Sequence, residues 1–523
     1  MSDWSAGYVS EIDYTFGYYN ELNPLRIKIA FLNNGLVFPE IGTACELGFG
    51  QGLSTNINAA ATVTEWWGTD FNPTQASCAQ EFARISGAKA RLFDESFEDF
   101  FNRADLPEFD YIGLHGIWSW ISDANRHSIV EFINRKLKVG GVLYISYNTL
   151  PGWAAFAPMR HLLSEHAEVI GAKGSGFISR IDDALLFADK LMSVNPAYAR
   201  ANPLIGERVK KLSEQNRHYL AHEYFNRDWH PMHFATLGDW LKDAKINYAC
   251  SANYLEHVDP INLNDEQAEF LNEIQDPMFR ESVRDFVINQ QFRKDYWIKG
   301  PRKLSDLERN ELIGEQCVVL VCPQEDVVLK VNGAIGEATM HAAVYEPILK
   351  VLEDNQIRSI AEIAEAVKQN EIPFAQVVQA VMILIGANFL NPAQKPAQKP
   401  AQKPAQNRDQ VSDVKAQCDR INHAIMRKAR TSADMSYLAS PVTGGGIIVG
   451  RFHQLFMLAI QSGLNTCEEW ADFVWQILDA QGQRLLEAGK PMESPEDNIR
   501  QLVHLANEFK TKNLPVFRAL QIV

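Results

Sequence analysis

Cysteine is scarce in this chain: 7 residues among 523, an odd number, with no Cys-x-x-Cys pair. That excludes a disulfide framework and a thiolate zinc site, and it points to reduced, buried thiols. Basic charge is also short, with 50 Lys and Arg against 65 Asp and Glu and a net charge of -15. Phosphate binding needs a concentrated basic face, so nucleic acid is not expected as a partner, whereas an acidic surface suits a basic, lysine-bearing protein. No apolar run reaches the ~20 residues that cross a bilayer, so no membrane insertion is expected. Met1-Ser2-Asp3-Trp4 lacks the basic and apolar regions of a secretory leader, which makes the cytoplasm the expected location. What remains is an ordinary globular composition, 46% hydrophobic and 22% charged, long enough for roughly two to four domains.

The richest local signal is Cys45-Glu46-Leu47-Gly48-Phe49-Gly50-Gln51-Gly52-Leu53-Ser54. A short apolar strand, Thr43 to Leu47, meets glycines at alternate positions and then a helix from Ser54 to Ala61. Such glycines let the backbone turn tightly under a nucleotide-like ligand, and the N–H groups opening the next helix face it. A dinucleotide loop of the dehydrogenase type places its third glycine one position later, where this chain has Leu53. The spacing therefore favours S-adenosyl-L-methionine over a nicotinamide cofactor. A second strand ends at Asp70-Phe71, where a carboxylate accepts ribose hydroxyls.

The pattern repeats. A third strand, Lys89 to Phe93, ends at Asp94-Glu95-Ser96-Phe97, the position at which a side-chain acid takes an adenine amino group. A fourth, Phe109 to Leu114, opens into His115-Gly116-Ile117-Trp118-Ser119-Trp120, and a fifth, Val142 to Tyr147, into Asn148-Thr149-Leu150-Pro151-Gly152-Trp153. Five strand-helix units predict a parallel α/β sheet with ligands at the carboxyl ends of its strands. The expected cofactor residues are Glu46, Gly48, Gly50, Gly52, Asp70, Phe71, Asp94, Ser96, Phe97 and His115. His115, Trp118 and Tyr147 are expected around the reacting methyl group, and Tyr18, Tyr19, Trp118, Trp120, Tyr147 and Asn148 around the acceptor, with the tyrosines before the sheet forming a lid. These residues supply hydroxyl, amide, imidazole and aromatic groups without a nucleophile-base pair. Methyl transfer from an activated sulfonium needs little more than alignment and exclusion of water. His218, His222, His230 and His233 cluster in sequence, but no His-Glu-x-x-His helix forms and no metal is expected.

Three stretches together carry a family resemblance: Glu46 to Gly52, Phe109 to Trp120, and Tyr144 to Trp153. It continues through His222-Glu223-Tyr224-Phe225 and Trp229-His230-Pro231-Met232-His233-Phe234. The chain resembles class I methyltransferases that carry a methyltransferase regulatory domain, a group that includes rickettsial protein lysine methyltransferases. The resemblance implies a Rossmann-like seven-stranded sheet, S-adenosyl-L-methionine as cofactor, and a protein lysine acceptor. Alternatives are an enzyme acting on a small molecule or glycan, or a catalytically silent binding protein with the same fold.

Residues 1–40 form the lid segment, 41–155 and 240–325 the methyltransferase core, and 156–239 a helical insertion. The last sheet strands are expected near Asn247 to Asn253 and Cys317 to Cys322. Residues 326–390 read as a small, winged-helix-like helical unit; its middle helix and following turn carry Glu362, Glu365 and Glu371 against Lys368, which favours protein over DNA contact. A Pro-Ala-Gln-Lys repeat at 391–407 reads as an extended spacer, and 408–523 as a mainly helical C-terminal domain. Ser440-Pro441-Val442-Thr443-Gly444-Gly445-Gly446 reads there as a flexible turn. The downstream domains are expected to recruit the acceptor protein; nothing in the sequence indicates an oligomeric state.

Overall fold

The computed structural model describes residues 15–171, 176–395, 410–487 and 489–523. The start of the lid segment and most of the Pro-Ala-Gln-Lys repeat lie outside these residues.

The organising element is a seven-stranded sheet in the order β3-β2-β1-β4-β5-β7-β6. After helix α1 (Pro24–Asn33), four strand-helix units follow: β1 (Thr43–Leu47) and α2 (Leu53–Ala61), β2 (Glu65–Thr69) and α3 (Pro73–Ser86), β3 (Ala90–Phe93) and α4 (Phe97–Phe101), β4 (Phe109–Leu114) and α5 (Asp123–Lys136). With β5 (Leu137–Asn148) these strands are parallel, their apolar side chains buried between helices. Each helix start has its chemical reason. Asn72 accepts from Thr74 N ahead of Pro73, Ser96 from Asp99 N, and Ser122 from Asn125 N.

The insertion comprises α6 (Ala157–Val169), α7 (Phe177–Ser193), α8 (Ala197–Ala201), α9 (Ile205–Ser213) and α10 (Arg217–Tyr224), packed around Phe156, Leu163, Leu185 and Leu220. The chain returns through α11 (Phe234–Leu241) to β6 (Ile246–Ser251), then α12 (Asp265–Asn272), α13 (Pro277–Val287) and β7 (Phe292–Lys299). Strand β7 runs antiparallel between β5 and β6. The seventh strand is therefore Phe292–Lys299 and not the expected Cys317 to Cys322. Its charges disguise it: Arg293 and Asp295 are 4% and 1% exposed, held in a buried cluster in which Arg293 donates to Asp295, to Asp285 at 2.6 Å and to Glu281 at 2.9 Å.

Cys317 to Leu320 instead form β8, after α14 (Asp306–Gly314). A hairpin of β9 (Lys330–Gly333) and β10 (Gly336–Thr339) leads to α15 (Ala342–Val351), β11 (Arg358–Ser359), α16 (Ile360–Ala366), α17 (Phe374–Gly386) and β12 (Leu390–Ala393). Strands β11, β8 and β12 make a separate three-stranded antiparallel sheet. The expected spacer thus begins later than its composition suggests. Asn391 to Ala393 pair with β8, and buried Gln394 donates to the carbonyls of Ala61 and Pro441.

The C-terminal region contains α18 (Gln410–Lys428), the hairpin β13 (Tyr437–Ser440) and β14 (Gly445–Ile448), then α19 (Arg451–Gln461), α20 (Cys467–Asp479), α21 (Pro495–Glu508) and α22 (Leu514–Ala519). It shares one apolar core with Leu53, Ile57, Ala60 and Ala61 of α2 and with Phe82 of α3. The glycine turn of this hairpin is buried, not flexible. A Cβ on Gly445 would stand 2.4 Å from Asn23 and from the Tyr18 hydroxyl, and one on Gly446 would meet the Tyr18 ring at 3.0 Å. Only glycine allows so close an approach.

Candidate active site

The glycine loop joins β1 to α2 with Gly48, Gly50 and Gly52 at φ of 71°, 57° and 69°, a region that side chains disfavour. A Cβ on Gly48 would lie 2.3 Å from Ile117, and one on Gly52 2.4 Å from Ala79. Gly48 and Gly50 line a cavity of about 290 Å³ at the carboxyl ends of the parallel strands, together with Glu46, Phe49, Asp70, Phe71 and Gln75. Gly52 does not line it. It precedes α2 and lets α2 pack against α3, so its requirement is structural.

Asp70 Oδ2 accepts from Gly50 N at 2.8 Å and Oδ1 from Asn72 N at 3.0 Å, which fixes the carboxylate under the loop. Burial pushes its pKa up to about 6 against these two hydrogen bonds. Glu46 accepts from the Thr55 hydroxyl. Burial, opposed by that hydrogen bond and reinforced by Asp70, raises it to about 8. Burial thus favours the protonated form of both carboxyls, more strongly for Glu46 than for Asp70.

The third expected acid is displaced by one residue. Asp94 is exposed and outside the cavity, whereas Glu95, Ser96 and Phe97 line it. Glu95 Oε1 accepts from Arg103 at 2.7 Å; its Oε2 is buried without a hydrogen-bond partner among the described residues.

His115 and Tyr19 stack on one another in the cavity wall, and His115 Nδ1 lies 2.8 Å from the Tyr144 hydroxyl. Trp120, Ile121, Ser122 and Asn125 continue the wall. The insertion closes it with His222, Glu223, Asn226, Arg227 and Asp228. Spacing near the strand ends does not reveal this group. Its traces in the sequence are the His222-to-Phe225 stretch among the motifs of the resemblance and the run of histidines that includes His222.

Besides Gly52 and Asp94, four more expected site residues lie outside the cavity. Trp118 is fully buried beneath the wall, its indole N–H 3.2 Å from Met232 Sδ and its ring edge-on to Trp240. Tyr147 is buried in the sheet, donating to Asp295 Oδ2 at 3.0 Å, because strand alternation turns it toward the Arg293 cluster. Asn148 is buried, donating its N–H to Ser119 Oγ at 2.8 Å, and Tyr18 is buried under the C-terminal hairpin, donating to Asn58 Oδ1 at 3.0 Å. Among the described residues no group of three or more His, Cys, Asp or Glu side chains is arranged to hold a metal ion, and no helix is long and apolar enough to cross a membrane.

Residues 216–299 match the family described as a predicted methyltransferase regulatory domain. In this fold that stretch is no separate body: it supplies α10 to the cavity and both β6 and β7 to the main sheet. An uncharacterised protein of Synechocystis sp. is 37% identical over 99% of each chain. An uncharacterised protein of Rickettsia prowazekii is 26% identical over 54% of this chain and 51% of its own. The solved structure of PKMT2 from Rickettsia typhi in complex with AdoHcy superposes with a TM-score of 0.69, covering 97% of this chain and 99% of that one at 18% identity. That likeness shows a shared fold over nearly the whole chain, in which the seven-stranded sheet is the class I, Rossmann-like methyltransferase core. The chain belongs to one family with its Synechocystis relative, and in it a class I methyltransferase fold incorporates the predicted methyltransferase regulatory domain.

Proposed function

We propose that this protein is an S-adenosyl-L-methionine-dependent methyltransferase that modifies an amine on a protein side chain, with lysine as the acceptor. The observation that carries the reading is the cavity over the glycine loop, where three acids from three consecutive strand ends, Glu46, Asp70 and Glu95, converge. Their states suit the cofactor. Asp70 is fixed by backbone N–H groups and keeps acceptor capacity for ribose hydroxyls, and Glu95 Oε2 is a buried acceptor without a donor, suited to an adenine amino group. A side chain at Gly48 or Gly50 would add a strained backbone at the cavity wall. The bound cofactor would supply a sulfonium methyl as the electrophile. The chain's own residues bind it, orient the acceptor and exclude water, for which the aromatic surfaces of Tyr19, His115 and Trp120 are suited.

The solved rickettsial structure named with AdoHcy supports the cofactor assignment. Net charge of -15 favours a basic acceptor protein. Calorimetry with S-adenosylhomocysteine and NAD tests the cofactor: tight binding of the first and none of the second is expected. Mass spectrometry of isotope-labelled methyl groups in lysate with and without the protein then identifies the acceptor. Label on hydroxyl or carboxylate groups alone would overturn the amine assignment, and binding without any transfer would make the chain a silent member of the fold.

A further inference from the structure

Five carboxylates line the cavity, and four of them have partners. Glu46 takes the Thr55 hydroxyl, Asp70 the backbone of Gly50 and Asn72, Glu95 the Arg103 guanidinium, and Asp228 lies 3.5 Å from Arg227 and 3.6 Å from His230. Glu223, in the last turn of α10, makes no hydrogen bond or ion pair among the described residues. Arg160 of α6 acts on Glu223 through its charge but forms no ion pair with it within 4 Å: it donates to the Asn226 carbonyl and lies over the Trp229 ring, 4.9 Å from its centroid. A half-buried, unpartnered carboxylate in a wall shared with Tyr19, His115 and Trp120 is complementary to a desolvated cation.

We infer that Glu223, carried into the cavity by the regulatory-domain helix, binds the ammonium form of the acceptor and takes its proton before methyl transfer. The inference rests on the methyltransferase reading above. An N–H bond of the ammonium breaks, its electron pair stays on nitrogen, and an O–H bond forms on Glu223. Nitrogen then carries the lone pair that methyl transfer consumes, and the proton leaves Glu223 for solvent at the cavity mouth. This narrows the acceptor to a basic amine, since a thiol, hydroxyl or carboxylate brings no cation to pair with Glu223.

The surroundings place Glu223 where such an exchange works at neutral pH. Burial raises its pKa to about 7, opposed by the positive charge of Arg160. A proton acceptor is most effective when its pKa lies near the working pH. The other charged or titratable groups on the cavity are paired, as above, or are Tyr19, His222 on the same helix, and His115, whose pKa burial pushes to about 3. Tyr219 and Tyr224 of α10 also face Glu223, and burial raises both phenols above their usual value, so neither ionises near neutrality. The Arg208 guanidinium of α9 lies beside these two phenols.

The test uses the full-length protein saturated with S-adenosylhomocysteine and n-butylammonium as probe, by calorimetry between pH 6 and 8. Wild-type affinity should rise about tenfold across that range as Glu223 ionises. E223Q should bind at least about tenfold more weakly, without pH dependence, and Glu223→Asp should retain part of both. Thermal melting and S-adenosylhomocysteine affinity of each variant report whether the fold is intact. Unchanged amine affinity and pH profile in a folded E223Q, or no amine binding by the wild type, would overturn the inference. Failure of S-adenosylhomocysteine to bind the wild type would instead strike the methyltransferase reading.

Discussion

Tyr19 and His115 stack face to face with ring centroids 3.5 Å apart and planes 20° from parallel, joining the segment before α1 to the end of β4 across the cavity wall. Burial pushes His115 down to about 3; Glu21 opposes the shift and Lys294 adds to it. The imidazole is therefore neutral throughout the physiological range and serves as a flat, polar-edged surface. Substituting His115→Gln should leave every ionisation between pH 5 and 8 in the cofactor-binding profile where it was. Tyr19→Ala should weaken S-adenosylhomocysteine binding by about 0.5–1.5 kcal/mol, the value of a stacked pair. Loss of a near-neutral ionisation in the His115 variant would show that the ring titrates after all.

Asp70 gives cofactor affinity a pH dependence with a definite sign. Its pKa of about 6 means the carboxylate is lost as pH falls through 6, so affinity for S-adenosylhomocysteine should decline toward about tenfold per pH unit below that point. Asp70→Ala should cost about 2–4 kcal/mol at pH 7.5, a loss of roughly 30- to 1000-fold. Stability of the free protein moves the other way. A buried carboxyl whose folded pKa exceeds its unfolded value of about 3.9 contributes stability that is complete below 3.9 and lost as pH rises through 6. Calorimetry and urea melts at matched pH separate the two effects, and near wild-type binding by folded Asp70→Ala would remove it from the cofactor site.

The residues that strand-end position nominated but the fold buries should behave as structure. Trp118→Ala deletes a fully buried indole and should cost about 3–5 kcal/mol of stability. Tyr147→Phe removes one donor to Asp295 and should cost about 1–3 kcal/mol while leaving cofactor affinity unchanged. Arg293→Met strands Asp285 and Asp295 as buried, uncompensated acids, at about 3–5 kcal/mol. Urea denaturation reads all three. A wild-type denaturation midpoint for Tyr147→Phe combined with lost turnover would restore that hydroxyl to the reaction centre.

What the sequence disclosed follows from where its signals are local. Strands β1 to β5 are apolar runs punctuated by Gly, Pro and Asn, and the rule that ligands sit at strand carboxyl ends selects Glu46, Asp70, Ser96, Phe97 and His115 directly. Strand β7 escapes that logic because Phe292-Arg293-Lys294-Asp295 reads as polar until Asp285 and Glu281 of the preceding helix α13 are known to fold back onto Arg293. Asp94 and Glu95 are adjacent acids, and only the point at which β3 ends decides which one lines the cavity. Glu223 and its neighbours reach the cavity through a return of the insertion over the sheet, a long-range event without a local pattern. Gly444-Gly445-Gly446 looks like a flexible turn from composition alone; its requirement comes from Tyr18, Asn23 and Thr62, far away in the chain.

That hairpin makes the C-terminal region part of the cofactor site's support, which changes what its removal would do. All residues of α2 are buried, and its partners include Cys418, whose thiol meets the Ala60 carbonyl, and Gln394, which holds the Ala61 carbonyl. Cutting the chain before α18 exposes this apolar face, so the shortened protein should aggregate instead of binding cofactor as an independent unit. A gentler perturbation isolates the coupling. Gly445→Ala places a Cβ 2.4 Å from the Tyr18 hydroxyl and from Asn23, and it should cost about 1–3 kcal/mol of stability by overpacking. Tyr18→Phe alone loses the hydrogen bond to Asn58, about 0.5–1.5 kcal/mol, but it also removes one of the two atoms that the new methyl group strikes. The double variant should therefore be more stable than the sum of the single losses by about 0.5–3 kcal/mol, the range for residues in direct contact. Additivity within about 0.5 kcal/mol in urea melts would show that the glycine turn does not bear on Tyr18, and with it the docking of the C-terminal hairpin onto the segment before α1.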